Sequence, residues 1–263
     1  MAKIEVKNLT AKYEKGKNVL ENLSFTVEDG EILCLIGPNG GGKSTLLTLL
    51  AGIGMGKIKK TKNSEILINQ KEIESYAANK KAREISYLGQ TEKLAWHFSV
   101  FETVLMGRYA HSSAYLPYSK EDKQIALSVL EDLGIFHLKD RLTNEISGGE
   151  LQKVRIARSL CQNTDIMLLD EPFSHLDIQH QSKLLSLIKT IAEEKKKTIV
   201  ISLHDLNLCP LLSKTILLVN KTEAFFGSLE EIFTESYLNK VYKTDFGLFR
   251  HPELDIPQVF VKN

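Results

Sequence analysis

Nine residues, GPNGGGKST at 37–45, follow the apolar run EILCLI and hold four glycines, one proline and a single charged side chain. A loop so poor in side chains packs nothing, so its chemistry must be that of the main chain. Glycines let successive backbone N–H groups turn towards one point, and a following helix adds its positive end. Together these make a seat for phosphate oxygens. The run fits G-x-x-x-x-G-K-[ST] on Gly37, Gly42, Lys43 and Ser44. In that pattern the lysine reaches the β- and γ-phosphates of ATP, and the hydroxyl of Ser44 ligates Mg²⁺. Gly37, Pro38, Asn39, Gly40, Gly41, Gly42, Lys43, Ser44 and Thr45 are therefore the nucleotide-binding candidates, with Gly41 contributing backbone alone.

Phosphoryl transfer also needs an acidic partner for the metal and a group that aims water. IMLLDEP (166–172) offers both: four apolar residues deliver Asp170 and Glu171 to the C-terminal end of a strand, expected beside the phosphate loop in a parallel sheet. Asp170 would hold Mg²⁺ through water and Glu171 would polarise the attacking water. A third stretch, ISGGELQKVRIARSL (146–160), places Ser147, Gly148 and Gly149 at a helix start, a second anion-binding terminus. Ser147 and Glu150 alone read as a capping box. One ATP needs one phosphate loop, however, so a second such site points to sharing between two copies.

The elements that must position these groups follow from hydrophobic period. ILCLIG, DIMLLD and TIVISL are short continuous apolar runs, the pattern of strands covered on both faces. IEVKNL and LSFTVEDGEI read as short N-terminal strands. TILLV and AFFG form an antiparallel hairpin across Asn220–Glu223, and SLEE (228–231) opens a helix with a capping box. Residues from about 91 to 158 read mainly as helices. Leu127, Leu130 and Leu133 lie along one face, and Leu151, Val154, Ile156 and Leu160 fall in another helix. Leu184, Leu185, Ile188 and Ile191 make an apolar helical stripe between two buried strands, which implies a parallel crossover.

Composition bounds the rest. At 263 residues with 43% hydrophobic content, the chain can bury a core of ordinary size. A net charge of +1 sets up no field that would draw nucleic acid or anionic lipid. Lys57–Arg83 holds eight basic and three acidic residues with a single aromatic, Tyr76, so it reads as a solvated face and no nucleic-acid partner is expected. Three scattered cysteines suit a reducing compartment. MAKIEVKNLT carries no apolar signal segment, and the longest apolar stretch, Ile32–Gly56, is broken by GPNGGGK, which could not stay helical in lipid.

The ordered set of motifs resembles the ATP-binding subunit of ATP-binding-cassette (ABC) transporters over residues 3–245. The resemblance implies an α/β P-loop NTPase fold with a mixed, mainly parallel sheet core. It also implies an N-terminal antiparallel β region and a helical subdomain at about 91–158; residues 246–263 are a tail without an assigned role. By the same resemblance ISGGE matches the signature motif that closes on the γ-phosphate held by a second copy, with Ile146 and Glu150 departing from the commoner Leu and Gln. Gln90 of ISYLGQ matches the loop glutamine that contacts Mg²⁺, although Gly89 replaces a frequent proline. Asp177 of SHLD matches the acidic member of the segment at the dimer axis. His204 matches the switch histidine, and Tyr13 falls where an aromatic stacks on adenine. Glu171, His204, Gln90 and Lys43 are the catalytic candidates; Ser44, Gln90 and Asp170 are the metal candidates.

The resemblance further implies a homodimer with ATP and Mg²⁺ between its copies. Separate integral-membrane permease subunits would hold it at the cytoplasmic face of the membrane, and a substrate-binding protein would act indirectly. VLMGRYAH (104–111) and LHDLNL (203–208) are similar to importers of iron-siderophore, haem or cobalamin chelates. VLMGRY with DEPF is similar also to manganese and zinc importers. A soluble ABC protein acting on nucleic acid or ribosomes has only the lysine-rich stretch in its favour, and Glu171 argues against a regulator without turnover.

Overall fold

The computed structural model describes residues 2–14, 16–54, 57–90, 98–112, 117–221 and 223–262. The start of the expected helical region, 91–97, and one position in each of two expected turns lie outside them. β1 (Ala2–Tyr13) and β2 (Asn18–Glu28) bury alternate residues, the period of strands with one face on a core. β3 (Ile32–Ile36) is buried throughout and empties into the glycine loop, after which α1 (Lys43–Leu50) begins. β4 (Ile58–Lys60), β5 (Glu65–Ile68) and β6 (Lys71–Glu72) complete the N-terminal antiparallel sheet, ordered β2-β1-β5-β6 with β4 also on β1. The short α2 (Ala78–Glu84) leads into β7 (Ile85–Leu88).

A helical cluster follows: α3 (Val100–Leu105), α4 (Lys120–Asp132) and α5 (Gly148–Cys161). Then come β8 (Ile166–Asp170), α6 (Ile178–Lys195), β9 (Thr198–Ser202), α7 (Cys209–Leu212), β10 (Thr215–Asn220), β11 (Glu223–Ser228), α8 (Leu229–Ile232) and α9 (Glu235–Tyr242). The central sheet runs β11-β10-β3-β9-β8-β7, parallel except for the β10–β11 hairpin. Its apolar runs divide by alternation. Ile32, Cys34 and Ile36 face a core shared with α6 to α9, while Leu33 and Leu35 face a second core shared with α1 and the N-terminal sheet. This two-sided covering is why those strands carry no polar alternation.

The helical cluster has its own core, built on Val100, Val104, Leu130, Val154, Ala157 and Cys161. On α4 the buried positions are Asp122, Ala126 and Leu130; Leu127 and Leu133 are only half-buried, so the helix is turned slightly from the face its leucines suggest. Helix α5 joins two cores, with Ile156 against the central sheet and Val154 in the helical cluster. Residues 246–262, to which sequence alone gives no role, form the hairpin β12 (Phe246–Arg250) and β13 (Pro257–Val261), and Phe246, Leu248 and Val259 pack on the central core.

One charged pair is sealed into the helical cluster. Arg108 donates from Nε to Asp122 Oδ1 at 2.9 Å and from a terminal nitrogen to the carbonyl of Cys161 at 3.1 Å. Asp122 Oδ2 in turn accepts from the Ser119 amide and hydroxyl at the start of α4. Arg108 holds the Asp122 carboxyl below its ordinary 3.8. The contribution of this pair is therefore present above pH 3.8 and is lost as pH falls through the lowered value. Arg108→Ala strands a buried carboxylate and is expected to cost about 3 kcal/mol in urea unfolding. The Arg108→Ala/Asp122→Ala double variant is expected to recover part of that loss.

Candidate active site

β3 ends at Ile36, and the loop after it needs glycine for steric reasons as well as chemical ones. Gly37 has φ 151°, and a Cβ there would lie 2.0 Å from the carbonyl oxygen of Val219 on β10. Gly42 takes the N-cap position of α1 with φ 106°, and no side chain caps that helix. The first amides of α1 therefore point into the cleft, where an anion can take them. Both main-chain groups of Gly41 are bonded within the protein: its N–H donates to the Pro38 carbonyl at 3.0 Å, and its carbonyl accepts from the Lys221 amide at 2.8 Å.

Lys43 is 6% exposed and folds back over the loop, donating to the carbonyls of Gly37 at 2.6 Å and Pro38 at 3.2 Å. Burial pushes its pKa below the ordinary 10.5, and the nearby carboxylates of Glu171 and Asp170 oppose that shift. Tyr13, at the end of β1, shares a hydrogen bond with the Thr45 hydroxyl at 3.0 Å. It stands over the same cleft, about 430 Å³, whose other lining residues include Asn39 to Thr45, Gln90, Glu171 and His204.

The carboxylates arrive from β8, which is not the neighbour of β3 that its sequence position suggests. β9 lies between them, parallel to both. That intervening strand supplies a residue sequence reading overlooks. Ser202 is fully buried and pairs in register with Asp170. Its hydroxyl donates to Asp170 Oδ1 at 2.6 Å and accepts from the Glu171 amide at 2.8 Å. Glu171 has φ 49°, a left-handed conformation that costs a non-glycine residue energy and that the Ser202 contact helps to hold. The serine among the apolar residues of TIVISL was the available signal.

Asp170 is 1% exposed, and its Oδ2 is buried without a protein partner. Such an oxygen calls for a cation. Among the described residues no three His, Cys, Asp or Glu side chains gather as a metal cage. A hard cation taking one carboxylate and completing its shell with hydroxyl, water and phosphate oxygens suits this donor set; Ser44 and Gln90 are at hand. Gln90 donates to Glu171 Oε2 at 3.0 Å, and His204 stands exposed two residues beyond Ser202.

Helix α5 braces both flanks of the site. Arg155 donates to the Gly89 carbonyl at 2.5 Å and to Gln152 at 2.8 Å, while Gln152 donates to the Pro172 carbonyl at 3.1 Å. Its N-terminal Ser147, Gly148 and Gly149 do not line the cleft. Ser147 caps α5 in a reciprocal box with Glu150, which the Ser147 backbone and hydroxyl keep below its ordinary pKa. Asp177 caps α6, accepting from the His180 amide at 2.8 Å, and also lies outside the cleft. The structure thus gathers the phosphate loop, Tyr13, Gln90, Asp170, Glu171 and His204, and leaves the SGG turn and Asp177 apart.

A cradle of main-chain amides and a buried lysine, faced by an uncompensated aspartate and a half-buried glutamate, defines a nucleotide-binding P-loop ATPase. The ABC transporter family model matches residues 20–174, more than half of the chain. The chain is 36% identical over 252 residues to a probable iron chelatin transport ATP-binding protein of Helicobacter pylori, covering 95% of this chain and 96% of that one. It is 36% identical to the ferric enterobactin transport ATP-binding protein FepC of Escherichia coli, covering 98% and 94%. A solved inward-facing conformation of a putative metal-chelate type ABC transporter superposes with TM-score 0.85 at 28% identity, covering 100% of this chain and 98% of that one. The chain belongs to the ABC transporter family and is its ATP-hydrolysing component. Among the described residues no helix is long and apolar enough to cross a membrane.

Proposed function

We propose that this chain energises import of an iron chelate through separate permease subunits, working as two copies at the cytoplasmic face of the membrane. The observation that carries the two-copy reading is the split site. The phosphate loop, Tyr13, Gln90, Glu171 and His204 line one cleft, while the SGG helix start lies outside it on the same chain. Across a twofold axis, Ser147, Gly148 and Gly149 of one copy complete the γ-phosphate site of the other, with Asp177 near the axis.

Within each site the amides of residues 39–45 and the Lys43 ammonium hold the phosphates, and Tyr13 stacks on the base. Mg²⁺, when bound, neutralises charge on the β- and γ-phosphates; Ser44, Asp170 and Gln90 are the residues that would hold it. Glu171 accepts a proton from the attacking water, and His204 contacts the γ-phosphate. ATP binding favours the closed pair and hydrolysis releases it, so the nucleotide works as a ligand with unequal affinity for two states.

Iron chelate is the cargo class because the relatives matching nearly the whole chain bear iron-chelate names, and VLMGRYAH and LHDLNL agree with it. A substrate-binding protein acts outside, through the permease. Vesicles containing this chain and its co-purifying permease are expected to accumulate a radiolabelled ferric siderophore only while ATP is hydrolysed. Accumulation of free Mn²⁺ or Zn²⁺ instead overturns the cargo, and failure to co-purify with any integral membrane protein overturns the transport role.

A further inference from the structure

The segment that follows His204 is not held by the ATPase core alone. Asp205 caps the short turn Leu206–Leu208, accepting from the Asn207 amide at 2.9 Å. The Asn207 side chain then leaves the turn and grips the C-terminal hairpin. Its Oδ1 accepts from the Val259 amide at 2.8 Å, and its Nδ2 donates to the Val259 carbonyl at 3.2 Å. A carboxamide that answers both main-chain groups of one strand residue stands in for a strand neighbour at the edge of β13. Only a side chain with one donor and one acceptor at this reach can do so. Aspartate lacks the donor and leucine lacks both.

The hairpin is a firm anchor because other elements hold it independently. Asn239 Oδ1 on α9 accepts from the Phe246 amide at 2.8 Å, and Glu235 accepts from the Leu248 amide at 2.9 Å and from Lys262 at 2.8 Å. Phe246, Leu248 and Val259 pack in the same core as Leu203 and Leu206, which bracket His204 and Asp205. His204 itself is exposed; strand β9 and the bond from the Leu203 amide to the Leu35 carbonyl hold the backbone before it, and the Asp205–Asn207 turn holds it after. The register of that turn against β13 therefore sets where the imidazole points into the cleft.

We infer that hairpin β12–β13 is a positioning device for the His204 segment, with Asn207 as the residue through which it acts. The inference rests on the role given to His204 above. It assigns a task to residues 246–262, and to the asparagine of LHDLNL, that lies within the ATPase cycle and not in cargo choice. A histidine displaced by a fraction of an ångström loses its contact with the γ-phosphate while leaving the phosphate loop intact. The consequence falls on turnover and spares binding.

The test compares purified full-length wild type, Asn207→Ala and His204→Ala. Asn207→Ala is expected to lower kcat for ATP on the order of tenfold with KM within about twofold. Calorimetric affinity for ADP should be unchanged, and amide exchange should accelerate at 204–208 and 259 but not in residues 37–45. Wild-type kcat in Asn207→Ala, with His204→Ala impaired, overturns this inference alone. Wild-type kcat in His204→Ala overturns the role of His204 and this inference with it. A loss shared equally by ADP affinity and exchange in the phosphate loop also overturns it, because the residue would then serve general stability. Should Asn207→Ala not fold, Asn207→Asp, which keeps the acceptor and the shape, is read by the same split: a fall in kcat alone supports the inference, and wild-type kcat overturns it.

Discussion

Purified Glu171→Gln protein is expected to bind Mg-ATP as tightly as the wild type, hydrolyse it about a thousandfold more slowly and elute as an ATP-bound dimer. The argument starts from what the substitution leaves alone. Glutamine keeps the length of the side chain and tolerates φ 49° no worse than glutamate, and its amide oxygen can still accept from Gln90. The Ser202 hydroxyl bonds the backbone of residue 171, so that contact survives too. What disappears is the carboxylate's capacity to take a proton from water, an effect of about 10²–10⁴ in rate for a positioned general base. With binding intact and turnover stopped, the closed pair accumulates. Phosphate-release assays and gel filtration with Mg-ATP check the two halves. Undiminished turnover would remove Glu171 from the chemistry, and a monomer under trapping conditions would remove the shared site.

Lys43→Ala is expected to fail one step earlier. Its ammonium is buried over the loop and bonded to two of the loop's own carbonyls, Gly37 and Pro38, so it stands where the terminal phosphates must pass. Hydrogen bonds from a buried cation to anionic oxygens are the strong kind, and losing them is worth about 3 kcal/mol, a factor on the order of a hundred in affinity. Calorimetry with Mg-ATP should therefore register little heat at concentrations that saturate the wild type. Equal heats from the two proteins would mean that the glycine loop holds something other than a triphosphate. The pair of variants separates binding from chemistry: one binds without turning over, the other does neither.

Motif chemistry was legible from the chain because it is local. Gly37, Gly42, Lys43 and Ser44 sit within eight positions, and a backbone cradle followed by a helix start needs nothing distant to be recognised. Asp170 and Glu171 were legible for a related reason, whereas His204 was singled out only by the family resemblance. The pair ends a run of apolar residues, and a strand C-terminus in a parallel sheet is where such groups converge. The three-part fold also followed from period: half-buried strands first, helices in the middle, fully buried strands afterwards.

What escaped was whatever depends on which strands are neighbours. Nothing in IMLLDEP or TIVISL says that β9 separates β8 from β3, so Ser202 could not be seen as the hydroxyl that holds both acidic residues. Asn207 reads as part of a cargo-type signature, yet it pairs with Val259, 52 positions away. Arg108, in another such signature, staples the helical cluster through Asp122. The SGG turn shows the reverse case: its amino acids read as an anion site, but only the folded chain shows that Ser147, Gly148 and Gly149 lie outside the cleft of the phosphate loop.

The amino-acid sequence by itself determined the chemistry, because amides, ammonium and carboxylates act through type and short spacing. Tertiary structure alone decided which groups hold them in place, because strand order and hairpin docking are settled by burying apolar faces, a sum over the whole molecule that no short segment encodes.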